Sequence, residues 1–402
     1  MAKAVALFSS GLDSTLAILA ILKQGIEVKA IIFLTPFDDD ISHDELHSYV
    51  SPSPTPPVKG GEIEGMPPVK REGIVGKLPV KGGEHTPVYL SRGEVPSPLA
   101  GEGKGEGYHI FLNAERFGFE VKLCYLSDKF IEIVKNPKFG YGKNMNPCID
   151  CRILMLKEAK AVMNMIGADF IITGEVLGQR PMSQRRDSFY LIDREAGVID
   201  YVLRPLSAKL LKITSPEAKG IINREMLYGF SGRSRKPQMA LAEELGLTDY
   251  PAPAGGCLLT EPNYAHRLKD LLTYNHAPSM RDIDLLRIGR HFRFSPSCKI
   301  IVGRNKDENE TIVSLSVNGD YLLKIDGYGS PTTLVTGEIT DHALKAAASI
   351  CARYSDAKNL SEVEAIVINW DNTFRLRISP AGSEIVEALR IEKLKNEKIA
   401  KA

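Results

Sequence analysis

Ala4-Val5-Ala6-Leu7-Phe8-Ser9-Ser10-Gly11-Leu12-Asp13-Ser14-Thr15 decides the fold. The apolar run Ala4–Phe8 reads as a buried strand that Ser-Ser-Gly breaks. From Asp13 to Gln24 apolar residues then recur at helical spacing, until Gly25 stops them. Strand, tight loop and helix in this order predict the first unit of a parallel sheet. Val28–Leu34, Val121–Tyr125 and Phe170–Thr173 read as further strands, and Cys148–Met165 as a helix. The expected fold class is therefore α/β, a parallel sheet with helices on both faces.

A loop at the first strand–helix junction is suited to a polyphosphate. Small residues let the backbone approach, and the N–H groups at the positive end of the helix face the oxygens. Gly11 supplies the closeness, Ser9, Ser10 and Ser14 offer hydroxyls, and Asp13 is placed to cap the helix or to bind magnesium.

The rest of the chain sets the frame. At 402 residues it is long enough for two or three domains of about 150 residues. With 43% hydrophobic and 25% charged residues it has a globular composition, and no apolar run reaches the roughly 20 residues a bilayer demands. Met1–Phe8 enters a strand without a secretory pattern, which predicts a cytoplasmic location and no membrane partner. Residues 48–107 break the alternation: 22 of 60 positions are Pro or Gly, and PPVKGGE, PPVKREG and LPVKGGE recur, so the stretch reads as a disordered insertion.

Past residue 205 the spacing turns helical, over Pro216–Tyr228, Pro237–Leu245, Asn263–Thr273 and Met280–Arg287. Past 288 short β-branched runs, Lys299–Val302, Thr311–Val317, Tyr321–Ile325, Glu364–Ile368 and Thr373–Ile378, surround one helix, Asp341–Tyr354. The expected organisation is an α/β domain over 1–205, a helical extension over 206–287 that carries Cys257, and an α+β domain over 288–402.

Six cysteines are too few for a disulfide scaffold of this length. Cys124, Cys298 and Cys351 read as structural. Cys148 and Cys151 precede a helix, where its dipole favours thiolates, and Cys257 follows two glycines in a loop open to chemistry. Three thiolates are one short of a closed zinc site and suit a three-cysteine iron–sulfur cluster better. Net charge is only +1, yet residues 180–240 hold twelve basic against six acidic side chains. Arg180, Arg185, Arg186, Arg233, Arg235 and Lys236 within it are candidate phosphate contacts for RNA.

Ser9, Gly11, Asp13 and Ser14 resemble the SGGxDS signature of the PP-loop ATP pyrophosphatases, with Ser10 in place of the first glycine. That resemblance implies an adenine nucleotide α-hydrolase-like fold. It also implies ATP cleavage between the α and β phosphates with Mg2+, AMP passing to a carbonyl oxygen. Asn146-Pro147-Cys148-Ile149-Asp150-Cys151 followed by the distant Gly255-Gly256-Cys257 is similar to the tRNA-thiolating branch, namely the 4-thiouridine synthetases, 2-thiouridylases and 2-thiocytidine synthetases. Implied are tRNA as substrate and a sulfur donor, either sulfide or a persulfide carrier protein. Cys148, Cys151 and Cys257 would then ligate a 4Fe-4S cluster or carry a persulfide.

Thr173-Gly174-Glu175-Val176-Leu177-Gly178-Gln179, with Ser183 and Gln184, resembles the TGExLGQ segment of 4-thiouridine synthetases and implies Gly174 and Gln179 at the nucleotide. Finally Cys298–Asn305, Gly329–Thr333 and Ala352–Lys358 resemble the RNA-binding domain of NFACT ribosome quality-control proteins over roughly 295–378, implying RNA contact at Arg304. Two alternatives stay open: a PP-loop enzyme adenylating a small molecule, and a non-catalytic RNA-binding factor.

Overall fold

Strand, loop and helix stand where the opening stretch puts them. The structure, a computed structural model, describes residues 1–38, 89–90, 114–248, 250, 257–370 and 372–392, without the side chains of 89, 90, 127 and 128. Outside the described residues lie the insertion read at 48–107, apart from Tyr89–Leu90, and the Ala252–Gly256 segment before Cys257. Two compact units form. One comprises Met1–Thr35, Asp39–Asp128 and Ile149–Ala254; the other comprises Pro36–Asp38, Lys129–Cys148 and Gly255–Ala402.

In the first unit β1 (Lys3–Leu7), β2 (Glu27–Leu34), β3 (Tyr89–Leu90), β4 (Glu120–Tyr125), β5 (Phe170–Thr173) and β6 (Val202–Leu203) form one sheet in the order β3-β4-β2-β1-β5-β6. All pairs are parallel except β3 with β4. Ala4 and Ala6 share a core with Ile18 and Ile21 of α1 (Leu12–Leu22), while Val5 and Leu7 on the opposite face are buried too. Burial on both faces explains why the strands read as unbroken apolar runs. Strand order reverses at β1, between β2 and β5, so the crevice at the carboxyl ends of β1 and β5 is where such a sheet takes a ligand. Residues 8–11 emerge there.

Along the chain follow α2 (Ser127–Lys135), α3 (Cys148–Ile166), α4 (Arg186–Ala196), α5 (Ser215–Ala218), α6 (Lys236–Glu244), α7 (Pro262–Tyr274) and α8 (Met280–Leu285). The second unit is built on an antiparallel sheet, β12-β11-β9-β10-β8-β7. Its strands are β7 (Arg290–Ser295), β8 (Cys298–Val302), β9 (Tyr321–Ile325), β10 (Thr333–Gly337), β11 (Val363–Asn369) and β12 (Asn372–Ile378). On one face α10 (Asp341–Arg353) buries Ala343, Ala347 and Cys351. On the other, Leu285 of α8 and Ile312 of α9 (Lys306–Ser314) meet Ile301 and Leu334. A last helix, α11, spans Ser383–Leu389.

Two expectations fail. Thr311–Val317 is not a strand but largely the C-terminal half of α9: Asn305 caps that helix by accepting from Glu308 N, and Asp307 and Glu308 favour its positive end. β-branched Ile312 and Val313 lie within the helix because one faces the core and the other solvent. Nor is Pro216–Tyr228 one helix. After α5, with its Thr214/Glu217 capping box, Gly220 turns at φ +72°. Ile222 and Leu227 then enter the core from turns that Arg224 holds through the Ala208 and Leu211 carbonyls.

Candidate functional site

Gly11 precedes α1 with no side-chain cap, so the first N–H groups of that helix are left for a ligand. The loop is laced from within: Ser14 Oγ donates to Gly11 O (2.9 Å) and lies 3.2 Å from Ser9 Oγ, and Thr15 Oγ1 donates to Gly11 O (3.1 Å). Gly174, at the end of β5, backs directly on it. A Cβ there would meet Ser14 N and Cα at 2.5 Å, so only glycine lets the two segments touch.

Ser10 sits at φ 55°, the left-handed region where glycine is favoured, and its hydroxyl bonds Ser9 O at 2.6 Å. The serine thus holds a backbone shape that glycine adopts readily. Ser10→Gly is expected to leave the fold and nucleotide binding intact. Ser10→Val should cost about 1–2 kcal/mol in thermal unfolding, the cost of a β-branched residue in that region.

Around Asp13 the structure gathers polar groups. Gln179 Nε2 donates to Asp13 Oδ2 (2.9 Å) and Arg235 Nη2 lies 3.5 Å from the same oxygen. Asp13 Oδ1, Gln179 Oε1 and Arg235 Nε are each buried with no hydrogen-bond partner among the described residues. Such orphans are costly unless a ligand, ion or water completes them. Arg235 arrives because Gly232 N donates to Leu177 O (2.7 Å), clasping its segment to the one that carries Gln179. One turn further, Gln238 is fully buried with both amide atoms unpartnered.

The Gly174–Gln179 segment is anchored from beneath. Arg204, buried, binds Asp193 through two bonds (2.9 and 2.8 Å) and Glu175 Oε2 at 3.1 Å, with its guanidinium over the Phe189 ring. Thr173 and Arg152 also reach Glu175. Burial pushes the Asp193 carboxyl up, against the pull of Arg204.

Cys148 and Cys257 belong to the second unit and Cys151 to the first. Cys148 opens α3 and its Sγ lies 2.7 Å from Asn146 Oδ1; Cys151, further along α3, is half-buried. Leu258 N donates to Phe37 O, Met145 N to Leu259 O and Asn144 Nδ2 to Thr260 O, drawing the segments of Cys148 and Cys257 together. Arg287 binds the Pro36 and Asp38 carbonyls, and the buried Tyr264 hydroxyl has no partner among the described residues.

Burial pushes the Cys257 thiol up to about 12, with the charges of Asp38 and Cys148 adding and a Leu259 backbone bond and Arg287 opposing. Its stabilising effect is therefore complete below about 9 and is lost between about 9 and about 12, because the unfolded chain ionises first. In the folded protein, alkylation of Cys257 by iodoacetamide should stay slow near neutral pH and accelerate only in strong alkali, as peptide mass mapping would show. Rapid labelling at neutral pH would contradict this environment.

Cys124, Cys298 and Cys351 are fully buried. Among the described residues no three His, Cys, Asp or Glu side chains are grouped to hold a metal ion. Cys148, Cys151 and Cys257 thus do not form, among the described residues, the three-ligand group that a 4Fe-4S cluster would need.

The basic candidates divide. Arg180, Arg185, Arg186, Arg233 and Lys236 are exposed, whereas Arg235 turns in to Asp13. Arg304, at the head of α9, is held by Glu308 through its Nε (2.7 Å) and backbone N–H (2.7 Å). That arginine belongs to the antiparallel sheet unit. Residues 289–390 match the family model of the NFACT protein RNA binding domain.

No curated protein matches the chain. Solved structures similar to it include the C-terminal of the fibronectin/fibrinogen-binding protein from Streptococcus suis, with TM-score 0.24, 17% identity, and 39% of this chain and 76% of that one covered. A 4-thiouridine synthetase–RNA complex with bound ATP gives TM-score 0.30, 18% identity, and coverage of 62% and 54%. NMN synthetase from Francisella tularensis gives 0.22, 10%, and 63% and 89%. No helix of the described residues is long and apolar enough to cross a membrane.

Three groups at these sites escaped sequence reading: Arg204, Gln238 and Tyr264. A buried arginine amid an apolar stretch carries a faint signal; a lone Gln or Tyr carries none.

Proposed function

We propose that the chain is an ATP-dependent enzyme that adenylates a carbonyl oxygen of a tRNA base and replaces that oxygen with sulfur. What supports it most is the set of orphaned buried atoms at Asp13, Gln179 and Arg235 before an uncapped helix, in a chain that also carries an NFACT-like RNA-binding domain. The loop N–H groups receive the phosphates of ATP. Arg235 moves from Asp13 to the departing pyrophosphate, where a guanidinium forms paired charged bonds. Mg2+, a cation of oxygen ligands, suits the unpartnered Asp13 oxygen and would neutralise the leaving pyrophosphate.

Attack of the base oxygen on the α-phosphorus breaks the α–β bond and leaves an adenylated base. Hydrosulfide can then attack the ring carbon, AMP leaving with the original oxygen. With a cysteine persulfide, the outer sulfur attacks instead and gives a base–protein disulfide. A second thiolate frees the thione, leaving a protein disulfide that an external dithiol must reduce. Cys148, at the head of α3 where the helix dipole favours a thiolate, suits that second thiolate, and Cys257, whose segment shares its unit, suits the persulfide carrier, with Cys151 as the alternative carrier.

Thionucleosides of tRNA from a strain lacking the gene test the reading. One thionucleoside should vanish and return with the gene; an unchanged profile rejects tRNA thiolation. The non-catalytic alternative draws on the Ser10 departure and on the C-terminal domain, and the φ of 55° at Ser10 weakens the first of these grounds.

A further inference from the structure

We propose that the cleft between α9 and the β9–β10 turn binds single-stranded RNA, one base stacking on Tyr328 while neighbouring phosphates meet Lys306 and Lys324. This rests on the RNA part of the reading above and names where the domain makes contact. The cleft has a volume of about 550 Å³, within the range of a small-ligand site, and Lys306, Asn309, Lys324, Tyr328 and Ser330 are among its lining residues.

Tyr328 is 49% exposed on a turn that is pinned in place. Gly327 takes φ +72°, Asp356 N donates to Gly329 O (2.9 Å), and a Cβ on residue 329 would collide with the Asp356 carboxylate. Ile325 N then donates to Ser330 Oγ (3.0 Å). An aromatic ring held out on an ordered turn has its ordering cost already met, which is what a stacking platform requires.

Asn309 is fixed as well. Its Oδ1 accepts from Thr332 N (2.9 Å) and abuts Gly303, where a Cβ would collide, so the end it offers a ligand is the NH2. Lys324 is exposed on β9. Lys306 pairs only loosely with Glu310 at 3.7 Å, both in solvent, and such a pair yields readily to a phosphate. Arg304, by contrast, is engaged by Glu308. A cleft with one ring favours single strands, since a duplex shows no base face to stack on.

The test measures binding of a short labelled single-stranded RNA to the full chain, without ATP, by fluorescence anisotropy. Tyr328→Ala should weaken binding roughly tenfold or more, and Tyr328→Trp should restore it. Lys306→Gln with Lys324→Gln should weaken it and flatten its salt dependence. Circular dichroism melts of each variant check that the domain is folded, and the Trp variant reports on stacking if the alanine variant melts early. If the wild type binds RNA and Tyr328→Ala and the double lysine variant bind equally well, the cleft assignment is overturned. Tighter binding of a duplex that ignores Tyr328 overturns it too. A wild-type chain that binds no RNA overturns the RNA part of the proposed function and the cleft assignment with it, whereas RNA binding indifferent to the cleft variants overturns the cleft alone.

Discussion

Asp13→Asn is expected to cut ATP-dependent pyrophosphate release by on the order of 10²–10³-fold with the fold unchanged, the scale seen when one preorganised electrostatic group is lost from a reacting centre. The substitution keeps the size of the side chain. It removes the charge that Arg235 faces at 3.5 Å and turns an oxygen acceptor into a donor. Gln179 Nε2, which donates to Asp13 at 2.9 Å, would then face either a flipped amide or another donor. Steady-state release of pyrophosphate checks the result. Equal rates in variant and wild type would remove Asp13 from the chemistry.

A second large effect is expected in stability. Arg204→Met should lower the melting temperature of the parallel-sheet unit by roughly 10 °C, because breaking a buried ion pair by removing one partner costs about 3–5 kcal/mol. Arg204 is 4% exposed and joins Asp193 to Glu175. Without it Asp193 loses its counter-charge, while Glu175 keeps only the more distant Arg152. Burial already holds the Asp193 carboxyl above its ordinary value and Arg204 opposes that push; with the opposition gone, the variant loses stability as pH rises through the carboxylate range and regains it in acid. The deficit relative to wild type is thus greatest near neutrality, and differential scanning calorimetry across pH would follow it. A deficit independent of pH would mean that lost packing over Phe189, not charge, dominates. Nucleotide affinity should fall alongside, since Glu175 anchors the segment whose Gly174 backs on Ser14.

The strand, loop and helix from Lys3 to Leu22 were legible because everything they require is local: an apolar strand, small residues and a helical spacing in one short stretch. The loop's supports were not. Gly174 and Gln179 reached the loop only through a family resemblance, since spacing cannot show that a residue 160 or more positions away will touch Ser14 or Asp13. Arg235 looked like one more exposed cation because a run of basic residues gives charge and not partners; folding turned it inward while its neighbours Arg233 and Lys236 stayed in solvent. Thr311–Val317 misled because β-branching spoke louder than the Asn305 cap and the acidic first turn of α9. The cysteines illustrate the remaining gap. Their spacing pointed to a shared centre, but it could not report the burial that keeps Cys257 protonated.

The identity of the nucleotide products tests adenylation most directly. The full chain would be incubated with ATP, Mg2+ and bulk tRNA, and the products separated by ion exchange. Adenylation predicts tRNA-dependent appearance of AMP and pyrophosphate in equal amounts, abolished in Asp13→Asn; ADP with phosphate, or no turnover at all, would contradict it.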